Sequence, residues 1–424
     1  MIVFLVGGGG REHALAWKLR QSPRLHRLIA APGNPGIAAV AQRVPIGDTA
    51  LDELVGRAVR ERVDLAVIGP EQPLTLGLAD RLREAGVPTF GPSRSAARIE
   101  GSKAFAKDLM ARHGIPTAQF RVFTDAGEAL HYCRALGAPL VVKTDGLAAG
   151  KGAIVCRTLE EAEDAIGRCL TERAFGASGE RIVVEEFMEG EEASFFALSD
   201  GRDALPLAAA QDHKTVFDGD RGPNTGGMGA YSPAPVLDAH MHDRVMEEIV
   251  RPTLEAMRKE GAPYQGVLYV GLMIGSSGPR VVEFNCRFGD PECQAILPRL
   301  GEDLLPLLEA CAKGTGLPAR VAWRAETSVC VVMASGGYPG AYATGRAIRG
   351  LDEAGRLPGV TVFHAGTALR DGAVVTAGGR VLGVQALGRD VPDAIARAYA
   401  AVGRIAFEGA HYRTDIGARA VARR

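Results

Sequence analysis

Over its first hundred residues the chain alternates short apolar β runs, at 2–6, 28–31, 65–68 and 88–90, with amphipathic helical stretches near 11–21, 51–62 and 75–85. Strand–helix–strand repetition of this kind commits a segment to an open, mostly parallel sheet with helices packed against it, because parallel strands need a long crossover and a helix supplies it. Beyond the helical stretch GSKAFAKDLMARHG (101–114) and Pro116 the pattern changes. Strands near 119–123, 140–143, 152–156 and 181–185, with helices near 125–136 and 158–172, predict a small α+β lobe within about 117–190. From 191 to about 323 the strands lengthen and read as antiparallel around one helix, 238–260; residues 326–424 read as strands and turns closed by a helix at 391–404. A chain of 424 residues is too long for one core. The expected division is an N-terminal α/β domain (1–102), a central two-lobed domain (103–325) and a small C-terminal α+β domain (326–424).

Composition excludes several classes. A net charge of −1 argues against a nucleic-acid surface or an acidic membrane face. Seven scattered cysteines without CxxC spacing fit a reducing cytoplasm rather than a disulfide framework or zinc. The opening MIVFLV reads as a strand and not as a signal peptide, and GVLYVGLMIG is far short of a membrane span. The chain is expected to act on small molecules in the cytoplasm, with no nucleic-acid or membrane partner; a monomer is compatible with the pattern. With no further motif before Arg424, a single activity is expected.

The segment VVKTDGLAAGKGAIV (141–155) joins two β runs by a loop poor in side chains, with Lys143 before it and Gly146, Gly150, Lys151 and Gly152 in it. Tight turns take about two to five residues and seldom need lysine. A longer glycine-rich loop lets backbone N–H groups approach an anion, phosphate above all. The spelling is not that of a P-loop, which needs four residues between its glycines and a hydroxyl after the lysine.

VGGGGREHALAWKL offers a second glycine run at the start of a helix. A dinucleotide fingerprint fails twice there, since Glu12 or His13 stands where its third glycine belongs and the second strand ends LIAAPGN without a carboxylate. One phosphate on the helix N-terminus is the expected use, tight packing alone the blander one. In RVVEFNCRFGDPECQAILP (280–298), strand alternation puts Glu283 and Asn285 on one face with Arg287 following. Carboxylate and amide oxygens suit Mg²⁺, and Arg287 suits an anionic oxygen. Cys286 and Cys293 are expected to pack. The EEF of VVEEFMEGEEASF reads either as a hinge offering its backbone to adenine or as a solvated acidic turn.

Lys143, the glycine-rich loop, the EEF hinge and the Glu-x-Asn pair, in that order, resemble the ATP-grasp superfamily. GGREHALAW, APGNPG, GPEQPL, EGSKAFAKD, KTDGLAAGKG, EEFMEGEEAS, QDHK, GPNTGGMGAYSPAP, EFNCRFGDPE, VMASGGYPG and TDIG narrow the likeness to the glycinamide ribonucleotide synthetase (phosphoribosylamine–glycine ligase) family. The resemblance implies a Rossmann-like N-terminal domain that holds a sugar phosphate, a two-lobed ATP-grasp domain and a small C-terminal domain. It implies a ligase of purine biosynthesis joining glycine to 5-phosphoribosylamine through a glycyl phosphate, with ATP as co-substrate and Mg²⁺ or Mn²⁺ as metal. Lys143 would touch the α/β phosphates, residues 144–152 would cover them, Glu185, Glu186 and Phe187 would lie against adenine, and Glu192 would hold the ribose. Glu283 and Asn285 would hold the metal, and Arg287 and Lys214 would be catalytic. Gly8, Gly9, Gly10, Arg11, Glu71, Lys103, Asp212, Asn224, Gly226 and Gly227 would line the substrate site; His213 could be catalytic or structural. YVGLMIG lacks the acidic ligand many ATP-grasp members carry on the preceding strand, which leaves the place of a second metal open. The competing readings are a bicarbonate-using carboxylating enzyme of the same fold, a nicotinamide oxidoreductase and a nucleotide sensor.

Overall fold

The computed structural model describes residues 1–148 and 152–423. Its first sheet is parallel throughout, in the order Gln42–Arg43, Arg27–Pro32, Ile2–Gly7, Leu65–Ile68, Thr89–Phe90. Both faces are covered, which is why its strands read as unbroken apolar runs. The chain leaves Ile2–Gly7 toward one side and returns to Leu65–Ile68 on the other. The crevice at the carboxyl ends of those two strands is therefore a topological switch point, the usual ligand position in such sheets. Gly8–Gly10 and Glu71 lie at its two lips.

Two antiparallel sheets form the central region. The small lobe orders Phe120–Phe123, Ile182–Glu186, Leu140–Thr144 and Ala153–Cys156 around its own core of Val142, Ile182, Val184 and Ile166. The large lobe orders Ala204–Pro206, Glu191–Asp200, Gln265–Gly275 and Gly278–Asn285. Its core is continuous with the N-terminal sheet: Leu5, Phe90, Phe196, Phe288 and Leu304 belong to one buried cluster. This shared core fixes the large lobe against the switch-point crevice.

Two sequence expectations are corrected. The expected single helix at 238–260 is α-helical over Ala239–Val245 and Arg251–Lys259 with a π-helical turn, Met246–Val250, between. Pro252 lacks an N–H for the regular ladder, and the widened turn lies immediately before it. The C-terminal sheet, in turn, is not built from C-terminal residues alone. Its order is Gln211–Asp212, Gly229–Ser232, Thr327–Ala334, Arg380–Gly388, Val360–His364, so two strands come from the region read as the central domain. Strands of two to four residues carry too little alternation to reveal so distant a partner. Among the described residues no helix is long and apolar enough to cross a membrane.

Candidate active site

The strand Leu140–Thr144 pairs with Ile182–Glu186 and carries Lys143 into the gap between the lobes. Lys143 Nζ donates to Glu185 Oε2 at 2.9 Å and to the Val282 carbonyl of the large lobe at 2.9 Å. A second ammonium, Lys107 Nζ, meets the same carboxylate oxygen at 3.0 Å. All three side chains are buried. Burial lowers the Lys107 pKa to about 8 against the pull of Glu185. Among the described residues, Glu185 Oε1 and Thr144 Oγ1 are buried without a hydrogen-bond partner. Glu186 turns away: its carboxylate accepts from the Gln119 N–H and pairs with Arg280. Phe187 lies just beyond the strand, partly exposed.

The near end of the glycine-rich loop is fastened down. Asp145 accepts from Ser102 Oγ and the Ala104 N–H, each at 3.0 Å, and from Arg181 Nε at 2.5 Å, while Lys103 Nζ donates to the Gly146 carbonyl at 2.9 Å. The loop thus starts at the N-terminus of the helix Lys103–His113. A Cβ on Gly152 would overlap Thr144 Oγ1, so a glycine is needed there. Gly150 and Lys151 lie outside the described residues.

Across the gap, the strand Gly278–Asn285 is bulged: Val281 pairs with Leu272 and Glu283 with Gly271, leaving Val282 unpaired. Bulges recur beside active sites because they re-aim side chains. Burial opposes ionisation of Glu283, but Lys214, Lys143, Lys103 and Arg287 outweigh it and hold its pKa below the ordinary carboxylate range. No hydrogen bond or ion pair occupies that carboxylate among the described residues. Asn285 Oδ1, on the same face, accepts from Arg287 at 2.9 Å and keeps a second lone pair. An ionised, unpaired carboxylate beside an amide oxygen fits a hard divalent cation. Arg287 is already engaged, 3.1 Å from Glu71 Oε2 and 3.0 Å from Glu100 Oε1. The Arg287–Glu71 pair ties the switch-point lip to the end of the strand Gly278–Asn285, and Glu71 is lowered to about 2 by Arg287 and Arg11 despite its burial.

Lys214 Nζ pairs with Glu192 Oε2 at 2.5 Å. Asp212 is driven up to about 7 by burial, with Glu292 and Glu192 adding and Lys214 opposing. His213 Nε2 accepts from the Gly417 N–H at 3.1 Å, and burial lowers its pKa to about 3.

The N-terminal glycine run is filled more than the sequence suggests. Glu12 reaches back to accept from the Gly9 N–H at 2.6 Å and pairs with Arg11 Nε at 2.6 Å. A Cβ on Gly7 would stand 2.5 Å from Glu12 Cγ, one on Gly8 2.9 Å from the Gly33 carbonyl, and one on Gly10 2.5 Å from Gln294 Nε2. Close packing, the blander reading, therefore accounts for much of this run. Arg11 donates to the Phe288 carbonyl at 3.0 Å and stands 3.9 Å from Glu71. Gly226 receives Arg380 through its carbonyl, and a Cβ on Gly227 would stand 2.5 Å from Pro291 Cδ. Asn224 ends the short strand Arg221–Asn224 and is partly exposed.

Sequence reasoning missed Lys107, Glu100, Asp290 and Arg380. Lys107 had a signal, standing four residues after Lys103 on one helix face. Asp290, in FGDPE, pairs with Arg380 at 3.3 Å. Arg380, in AGGR, had no local signal.

Three family models match the chain: phosphoribosylglycinamide synthetase N domain over residues 1–100, its ATP-grasp (A) domain over 101–293 and its C domain over 328–419. Phosphoribosylamine–glycine ligase of Rhizobium meliloti (strain 1021) is 55% identical over 423 residues, covering 100% of this chain and 99% of that one. The protein of the same name from Pseudomonas aeruginosa is 53% identical over 426 residues, covering 100% and 99%. The crystal structure of phosphoribosylamine–glycine ligase from Thermotoga maritima superposes with a TM-score of 0.86 at 32% identity, over 98% of this chain and 100% of that one. A biotin carboxylase from Campylobacter jejuni gives a TM-score of 0.75 at 14% identity, over 98% and 94%, a likeness of fold alone. From its first strand to its C-terminal sheet, the chain belongs to the phosphoribosylglycinamide synthetase family of ATP-grasp ligases.

Proposed function

We propose that the chain joins glycine to 5-phospho-D-ribosylamine at the expense of ATP, giving glycinamide ribonucleotide, ADP and phosphate, as in de novo purine biosynthesis. The observation that carries this reading is the interlobe gap, where the charges of Lys143, Lys103, Lys214 and Arg287 act on a Glu283 carboxylate that no hydrogen bond or ion pair occupies among the described residues. That array suits polyphosphate chemistry, which is mostly positioning and charge neutralisation. A carboxylate is a poor electrophile. Its oxygen first attacks the γ-phosphorus, the bond from that phosphorus to the bridging oxygen of ADP breaks, and the glycyl phosphate forms. The amine then attacks the acyl carbon, phosphate leaves, and the amine proton is released.

In this reading Lys143 and Lys103 face the phosphates, the backbone at Glu185, Glu186 and Phe187 faces adenine, and Glu192, already beside Lys214, faces the ribose. Lys214 and Arg287 neutralise the acyl phosphate and its oxyanion. Mg²⁺ or Mn²⁺ held by Glu283 and Asn285 would supply neutralisation of the phosphoryl oxygens. The switch-point crevice, with Gly8–Gly10, Arg11 and Glu71 at its lips, takes the sugar phosphate, and Asp212 takes an amino group. Seven buried free cysteines suit a reducing, cytoplasmic setting.

The test is ADP release with each co-substrate omitted in turn. Release that needs both glycine and phosphoribosylamine is expected. Release driven by bicarbonate without glycine would replace this reading with the carboxylating one.

A further inference from the structure

One ammonium is enough to neutralise Glu185, yet the fold supplies two, both on Oε2. The hydrogen bonds beyond them close a ring. Lys107 Nζ also donates to Thr117 Oγ1 at 2.7 Å, and that hydroxyl donates to the Val281 carbonyl at 2.7 Å. Lys143 Nζ also donates to the neighbouring Val282 carbonyl. Val281 and Val282 are the residues at the bulge of the large-lobe strand, so the ring ties the small-lobe hinge to the point where the Glu283 strand is re-aimed.

The two lysines differ in what else they can reach. Lys143 stands at the end of its strand beside the glycine-rich loop, within the field of Glu283. Lys107 Nζ is taken up on its other side by Thr117 Oγ1 at 2.7 Å and the Phe120 ring, 5.8 Å from its centroid, and makes no hydrogen bond to the glycine-rich loop among the described residues. Lys103, one turn earlier on that helix, donates to the Gly146 carbonyl and not to Glu185. If Lys143 were the sole partner of Glu185, moving it to a phosphate would strand a buried carboxylate, and a buried charge stripped of its partner is strongly destabilising.

We propose that Lys107 is a positioning residue for nucleotide binding: it stays on Glu185 and so releases Lys143 from that carboxylate for a nucleotide phosphate. The inference rests on the reading that the interlobe gap binds ATP. It accounts for the double pairing and for the burial of Lys107, neither of which a phosphate contact requires.

Calorimetric titration of the full chain with Mg-ADP tests it. K107M is expected to weaken binding about 10- to 100-fold, the worth of one hydrogen bond to a charged group. In an E185Q background, where no carboxylate holds Lys143 back, adding K107M should change binding by less than about threefold, the scatter of independent sites. Equal losses in both backgrounds, or wild-type binding by K107M, would overturn the proposal in favour of a structural lysine. Should K107M fail to fold, K107R keeps the charge: binding within about threefold of wild type supports the proposal, and a larger loss overturns it. A wild-type chain that does not bind Mg-ADP sinks the nucleotide reading itself, and this inference with it.

Discussion

The two glycine-rich segments, one at residues 7–10 and one at 146–152, look alike as strings and differ in what surrounds them. The first is charged from within: Glu12 occupies the N–H of Gly9, and the glycines leave room for that carboxylate. The near end of the second faces cations, with Lys103 on the Gly146 carbonyl and Lys143 on the leading strand, and Thr144 Oγ1 there is buried without a partner among the described residues. Glycine density reports that side chains are missing. Whether protein or ligand takes the space is decided by the charge facing it, and it is the near end of the second segment that faces cations.

The strongest way to break this contrast is Glu283→Gln. The substitution keeps size and hydrogen-bonding reach but deletes the anion that the lysines face, so kcat should fall by about 10²–10³, the usual loss for one electrostatic group. Thermal unfolding should be little changed. A variant that unfolds while its residual specific activity stays normal would make Glu283 structural. Next in size, Gly7→Ala sets a Cβ against Glu12 at a φ of +122°, which should cost about 3 kcal/mol of stability in denaturant titrations. Mg-ADP affinity should not move, because the strain lies in the self-filled segment; a matching loss of affinity would merge the two regions into one site.

The smallest effect concerns His13, whose Nδ1 accepts from the His364 N–H and so clasps the first helix to the C-terminal sheet. Burial, with His364 nearby, lowers its pKa to about 3. The unfolded chain binds a proton near 6.5 and the folded one does not, so stability falls as pH drops below 6.5. The stability gap between wild type and His13→Gln should shrink by about 2 kcal/mol from pH 7 to pH 5. A gap independent of pH would mean that His13 titrates in the fold as it does in the unfolded chain, and would overturn the burial argument.

Legibility followed sequence distance. The strands Ile2–Gly7, Arg27–Pro32 and Leu65–Ile68 were readable because a sheet buried on both faces leaves continuous apolar runs. Lys143, Glu283 and Asn285 were readable because loop composition and strand alternation are local properties. The bulge at Val282 was not, since nothing in VVEF marks which residue its partner strand skips. Nor was the meeting of Arg380 with Asp290, ninety positions apart. Glu12 was visible as a residue but not as the occupant of the glycine run, because filling space is a property of the folded neighbourhood.

The interleaved C-terminal sheet bears on how the chain folds as it is made. Gly229–Ser232 pairs on one edge with Gln211–Asp212, and its other edge belongs to Thr327–Ala334. Roughly a hundred residues separate those strands, so at about 5–20 residues per second the ribosome leaves that edge open for on the order of 5–20 s. An open edge is a template for foreign pairing. The nascent central region must therefore be shielded, or stay unlocked, until its last strands emerge, and a chain cut before residue 327 would carry that exposed edge permanently.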